Sequence, residues 1–153
     1  METPVFDVLA YGAVGDGHTD NTAAFSDCLK AMIEAGGGRM VVPAGVYRGR
    51  IAIPAVSRPT PSWITLEIVG EREPTPVFGT IGAFPLQDSG VIIKCLDASG
   101  PAVISASPPT DSLYGGFSAV NVVLRNLDVR TYDDPGIGGI DLEHAAQCKL
   151  ENV

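Results

Sequence analysis

Asp128, Arg130, Asp133, Asp134, Asp141, Glu143 and His144 gather acid–base side chains near the C-terminal end of the chain. Two carboxyl groups flanking one bond can divide the proton transfers of a hydrolysis, one donating and one accepting. A base beside a cation can instead remove a proton next to a carboxylate, while the cation neutralises the anion. Asp128 and Arg130 alternate outward on a strand pattern, as do Asp141 and Glu143, so neighbouring strands would join them in a polar patch. A plainer role stands beside each assignment. An outer face carries ordinary solvated charges, Asp133-Asp134-Pro135-Gly136 is turn chemistry, and His144 falls where a turn is expected.

A second stretch also suggests chemistry. In YGAVGDGHTDNTAAF, residues 11–25, Gly12, Gly17, His18 and Thr19 come one residue short of a phosphate-binding loop. That loop needs a lysine to reach the phosphates, and His18 is short and mostly neutral. Asp16 and Asp20 would repel a phosphate, and no alternation of strands and helices follows. The glycines instead permit a tight turn between a first strand and a helix. Asp16, Thr19 and Asp20 suit bonding to loop amides and to the helix start.

The chain has 153 residues, 45% of them hydrophobic, enough for one domain with a real core. A net charge of -8 and a pI near 4.5 argue against general binding to nucleic acid or to anionic membranes. No run reaches the length of a membrane span, and no signal-peptide segment opens the chain. It either stays inside the cell or starts after a removed signal. Cys28, Cys95 and Cys148 are far apart, lack a C-x-x-C pairing and sit in apolar patterns. Buried free thiols are expected, and no zinc cluster.

The elements that must position these residues are mostly strands. Phe25, Cys28, Leu29, Met32 and Ile33 recur at helical spacing, which predicts one amphipathic helix over 21–35. Asp20 is placed to be its N-cap, and Gly36-Gly37-Gly38 to end it. Strands are expected at 39–42, 46–53, 63–70, in GVIIKCL and AVIS, and in VNVVLRNLDVRTY, GIDLEH and CKLENV. Proline-broken loops intervene, including 71–89 and 106–119. VVLRNL (122–127) repeats as CKLENV (148–153) at a shift of 26 residues. The repeat sets Arg125 beside Glu151 on an outer face and stacks Asn126 under Asn152 at a bend. Val122, Leu124, Leu127 and Val129 then point inward, and Arg125, Asp128 and Arg130 outward.

These pieces fit an all-β fold, a right-handed parallel β-helix with an N-terminal amphipathic capping helix. Residues 1–153 read as a single β-helix domain, with strand, loop and capping helix over 1–38 and the first coils over 39–153. Val153 stops in mid-repeat, so the chain is expected to be the N-terminal part of a longer β-helix.

Tyr11-Gly12-Ala13, Gly15-Asp16-Gly17, Thr19-Asp20, Thr22-Ala23-Ala24, Gly36–Gly38 and Pro43-Ala44-Gly45-x-Tyr47 occur in that order. Together they resemble the N-terminal signature of the pectate-lyase-like superfamily of parallel β-helix proteins, over about the first third of the chain. The superfamily includes polygalacturonase-like glycoside hydrolases, polysaccharide lyases and phage tailspikes. The resemblance implies a carbohydrate-active protein, either a hydrolase or a lyase, whose partner is a polysaccharide or oligosaccharide rather than nucleic acid or membrane. Its alternative is a non-catalytic structural or glycan-binding β-helix, tailspike- or adhesin-like, that trimerises. Both imply a secreted or cell-surface protein. Asp133, Asp134 and Asp141 are the candidate catalytic carboxylates. Arg130, Tyr114, Phe117, Tyr132 and Glu143 are the candidate substrate contacts, with Trp63 a further ring in or beside a loop and 106–119 a groove wall. No cofactor or metal ligand is expected, save Ca2+ if the reaction is a lyase's. The N-T-D, G-H-G and R-I-K elements of polygalacturonases are absent here; Asp133-Asp134 alone echoes their adjacent-Asp element. The catalytic coils are therefore expected beyond Val153.

Overall fold

The computed structural model describes residues 2–56, 63–71, 90–94, 100–106, 120–130 and 139–153. Their strands are β1 (Val5–Asp7), β2 (Asp16–Asp20), β3 (Gly38–Val42), β4 (Gly45–Arg48), β5 (Ile51–Ile53), β6 (Ile64–Gly70), β7 (Val91–Lys94), β8 (Val103–Ser105), β9 (Val120–Arg125), β10 (Asp128–Arg130), β11 (Ile140–Asp141) and β12 (Gln147–Glu151). A 3-10 turn, Val8–Tyr11, follows β1, and helix α1, Thr22–Glu34, follows β2. The first sheet runs β1-β3-β6-β9-β12, the second β2-β4-β7-β10 and the third β5-β8-β11. All pairings are parallel. Each full coil contributes one strand to each sheet, so the chain winds as a right-handed parallel β-helix. In the first coil α1 takes the place of the third strand.

Alternation builds the core. On β6, Ile64, Leu66 and Ile68 are buried while Thr65 and Glu67 face out. Successive coils stack like on like: Met40 lies over Ile68 and Ile68 over Leu124, all fully buried. The expected inward set agrees, with Val122, Leu124 and Leu127 buried and Val129 packed against them.

Helix α1 covers the front of this stack, against β3, β5 and β6. Phe25, Cys28, Leu29 and Met32 are fully buried and Ile33 packs beside them. An end coil without such a cover would expose its apolar interior. Each large side chain so buried contributes about 1.5–3 kcal/mol. Burial also pushes the Cys28 thiol up to about 12, with the Asp7 charge adding to it. The helix ends in a Schellman turn: Gly37 N donates to Met32 O at 2.8 Å and Gly36 N to Ile33 O at 3.0 Å. Gly36 at φ 84 supplies the left-handed residue this requires.

Several expectations need correction. The helix begins one residue later than expected, with Asn21 rather than Asp20 at its N-cap position. The 46–53 segment is two strands, because the chain turns a corner at Gly49-Arg50 between the second and third sheets. The loop that follows Tyr11 is more than a hinge, since its residues 16–20 form β2 and pair with β4. Cys148 is exposed, not buried. It stands in register with Val122, and Leu150 with Leu124. Among the described strands β12 has a neighbour on one side, and Leu150 is 53% exposed. Cys95 lies outside the described residues.

The 26-residue repeat is real in three dimensions. Asn126 and Asn152 occupy the left-handed region at φ 54 and 51, where Asn is among the few side chains tolerated. Asn152 Nδ2 donates to Asn126 Oδ1 at 3.0 Å. Gly70 holds the same corner position one coil earlier, and a Cβ there would come 2.0 Å from the Asn126 carbonyl oxygen. The corner can form only if that position lacks a side chain. Gly70→Ala is therefore expected to lower stability by about 2–3 kcal/mol, read as a shift in the denaturant midpoint at unchanged slope.

Candidate functional site

The N-terminal loop is organised by Asn21, a polar side chain only 1% exposed. Its Oδ1 accepts from Val14 N at 2.7 Å. Its Nδ2 lies within hydrogen-bond reach of the carbonyls of Val14 (3.1 Å), Thr19 (3.0 Å) and Arg48 (3.1 Å). Its backbone N also donates to Arg48 O, at 2.9 Å. One amide thus ties the loop to the end of β4 and engages the Val14 N–H that a phosphate would need. Asp16 and Asp20 have the local roles expected of them. Asp16 accepts from His18 N (2.9 Å), Thr19 N (2.8 Å) and Thr19 Oγ1 (2.7 Å). Asp20 accepts from Thr22 N (3.0 Å) and Thr22 Oγ1 (2.6 Å), at the first turn of α1.

The outward faces carry the candidate chemistry. On β10, Arg130 grips Asp128, with Nη2 to Oδ2 at 2.6 Å and Nε to both oxygens at 3.2 Å. The pair is part-buried, on the second sheet. Asp141 ends β11 on the third sheet; its Oδ1 accepts from Glu143 N at 3.1 Å, and both residues are exposed. His144 lies in the following turn and donates its backbone N to the buried Ser105 Oγ at 3.1 Å. Asp128 and Arg130 therefore sit on a different sheet from Asp141, and no single sheet face gathers them. Asp133, Asp134, Tyr114, Phe117 and Tyr132 lie outside the described residues, as does most of the 106–119 wall. Among the described residues no group of three or more His, Cys, Asp or Glu forms a metal cluster.

The first sheet's outer face shows an arrangement only half visible in the sequence. Arg125 Nε bonds Glu151 Oε2, the expected neighbour pair. Arg125 Nη1 also reaches Glu67 Oε1 at 2.7 Å, and Glu67 Oε2 accepts from Arg39 Nε at 2.7 Å. Lys149 Nζ closes the row on Glu151 at 3.3 Å. The Arg125 and Lys149 contacts hold the Glu151 carboxyl below its ordinary value. Arg39 and Glu67 were missed because they lie in earlier coils, where loops of unequal length hide the period.

No protein-family model matches the chain. Mannuronan C5-epimerase AlgE3 of Azotobacter vinelandii is 49% identical over 43 residues, 28% of this chain and 2% of that protein. AlgE5 of the same organism is 46% identical over 43 residues, 28% of this chain and 4% of that protein. The matched segment is thus a small fraction of those relatives' length. Among solved structures, ORF18 of Geobacillus virus E2 superposes with a TM-score of 0.57 at 19% identity, over 95% of this chain and 24% of that one. The AlgE6 A-module of Azotobacter vinelandii gives 0.48 at 22% identity, over 92% of this chain and 36% of that one. In fold, the chain is a right-handed parallel β-helix.

Asn21→Ala should cost about 3 kcal/mol, because it strands buried carbonyls and an amide. Asp20→Ala should cost only about 1 kcal/mol, since its bonds to Thr22 are exposed. Equal losses in urea unfolding would contradict the central role of Asn21. Asp16 bonds to Thr19 N first, then His18 N and Thr19 Oγ1, which lowers its carboxyl from 3.8 to about 2. A depressed carboxylate stabilises the fold fully above its unfolded value and loses that contribution as pH falls through the folded one. The wild type should therefore lose more stability than Asp16→Asn between pH 3.8 and about 2, checked by melting temperature against pH.

Proposed function

We propose that the chain is part of a carbohydrate-active β-helix protein that acts on a uronate polysaccharide at or outside the cell surface. The observation that carries this reading is the 49% identity with a mannuronan C5-epimerase over 43 residues. The C5 proton of a uronate is next to its carboxylate. Removing it needs a base, and a cation must neutralise the anion as charge develops. The same first step leads to elimination in a lyase. Hydrolysis would instead use two carboxyl groups.

Asp133, Asp134 and Asp141 are the proposed acid–base carboxylates. Arg130, Tyr114, Phe117, Tyr132 and Glu143 are the proposed contacts to the polymer. Two features support roles for the described members: Asp141 keeps one carboxylate oxygen clear of the Glu143 bond, and Arg130 presents its guanidinium at a part-exposed face. If the reaction is an elimination, Ca2+ is the proposed partner of the uronate carboxylate.

A second reading is a non-catalytic glycan-binding β-helix, trimeric if tailspike-like. It is favoured by the way Asp16, Asp20, Asp128 and Asp141 are each committed to a turn or an ion pair.

The protein should be incubated with polymannuronate and polygalacturonate. Three products would be followed: unsaturated uronide by ultraviolet absorbance, new reducing ends, and deuterium entering C5 from heavy water. We expect absorbance or exchange, lowered about a hundredfold or more in Asp141→Asn. A protein that binds these polymers but changes none of them, and sediments as a trimer, would establish the second reading instead.

A further inference from the structure

Trp63 is the chain's single tryptophan, and it stays 47% exposed. It precedes Ile64, which is buried, so the alternation of β6 puts Trp63 on the outward side with Thr65 and Glu67. Thr65 is in register with Asn121 on β9, and Asn121 with Gln147 on β12. The three polar side chains form a row along the axis of the stack, at the strand spacing of about 4.8 Å. Thr65 and Gln147 are exposed and Asn121 is half-buried. Among the described residues no hydrogen bond engages the side chains of Thr65, Asn121 or Gln147. The contrast with Asn126 and Asn152 is informative, because that stacked pair is joined at 3.0 Å. A stacked polar row with a structural role closes its hydrogen bonds, and this one does not.

The charges beside the row are spent on each other. Glu67 takes Arg39 and Arg125, and Glu151 takes Arg125 and Lys149. The face therefore offers donors, acceptors and one flat ring, next to charges that are already paired. It complements an uncharged, hydroxyl-rich chain better than a polyanion.

We propose that Trp63, Thr65, Asn121 and Gln147 form a binding site for an uncharged stretch of glycan, on the first sheet and apart from Asp141 and Arg130. A pyranose ring lays its C–H face on the indole. Its hydroxyls and those of the following sugars meet Thr65, Asn121 and Gln147 along the stack. The site needs a glycan but no turnover, so it stands or falls separately from the proposed reaction.

The single tryptophan makes the test direct. The chain would be titrated with cellohexaose, maltohexaose and mannohexaose, following the indole emission and its protection from acrylamide. A blue shift and protection are expected, with an affinity that holds between about 0.05 and 0.5 M salt, where exposed ion pairs would be screened. By direct calorimetry Trp63→Ala should weaken binding at least about tenfold, Trp63→Phe less, and Asn121→Ala measurably with the melting curve unchanged. An emission spectrum unmoved by all three glycans would overturn the site, as would binding that is equal in Trp63→Ala or falls steeply with salt. Uronate turnover with a silent indole defeats this inference alone; an indole response without turnover defeats the proposed reaction alone.

Discussion

A β-helix must start somewhere, and its first coil has no earlier coil to close its interior. Here that constraint is met by α1, and α1 is held in place by one buried amide. Asn21 reaches the loop through Val14 and Thr19 and the second coil through Arg48. Arg48 O receives both the backbone and the side-chain donor of Asn21, so the helix start cannot drift from the end of β4. With the start fixed, Phe25, Leu29 and Met32 fall onto the open end of the core. The energy of the cap is hydrophobic, but its position is set by hydrogen bonds.

The glycines and aspartates that imitate a phosphate loop acquire their meaning in this setting. Asp16 folds the loop on itself and Asp20 holds the first turn of the helix. From Asp16 to Asp20 the five residues run as a strand beside β4. A nucleotide loop keeps its amides open for a ligand; here those of Val14, His18 and Thr19 are bonded to Asn21 and Asp16.

Much of the fold was legible because parallel stacking repeats its chemistry. The helical stripe, the Gly36–Gly38 stop, the Arg125–Glu151 neighbours and the Asn126–Asn152 corner all follow from local pattern. What escaped detection depends on where an element sits in the stack. The pattern around Cys148 matches that around Val122, yet among the described strands Val122 lies between two neighbours and Cys148 beside one. Asp20 and Asn21 are adjacent and both are good capping residues; burial, which the sequence does not display, gives the larger role to Asn21. Glu67 was invisible as an ion-pair centre because its partners lie 28 and 58 residues away. The candidate site was the least legible part, since outward residues obey no packing rule and several candidates lie outside the described residues.

The ion-pair row on the first sheet has a consequence for register. Strands that alternate strictly can slide by two residues and still bury an apolar face. The core of β6 against β9 therefore rejects odd slips far better than even ones. Charge makes the further distinction: a two-residue slide would carry Arg125 away from Glu67 and Glu151. It would also move the left-handed Asn126 off Gly70, the one place on β6 that admits it. Core packing decides which side of each strand faces inward, while the surface charges and one missing Cβ decide how the coils align.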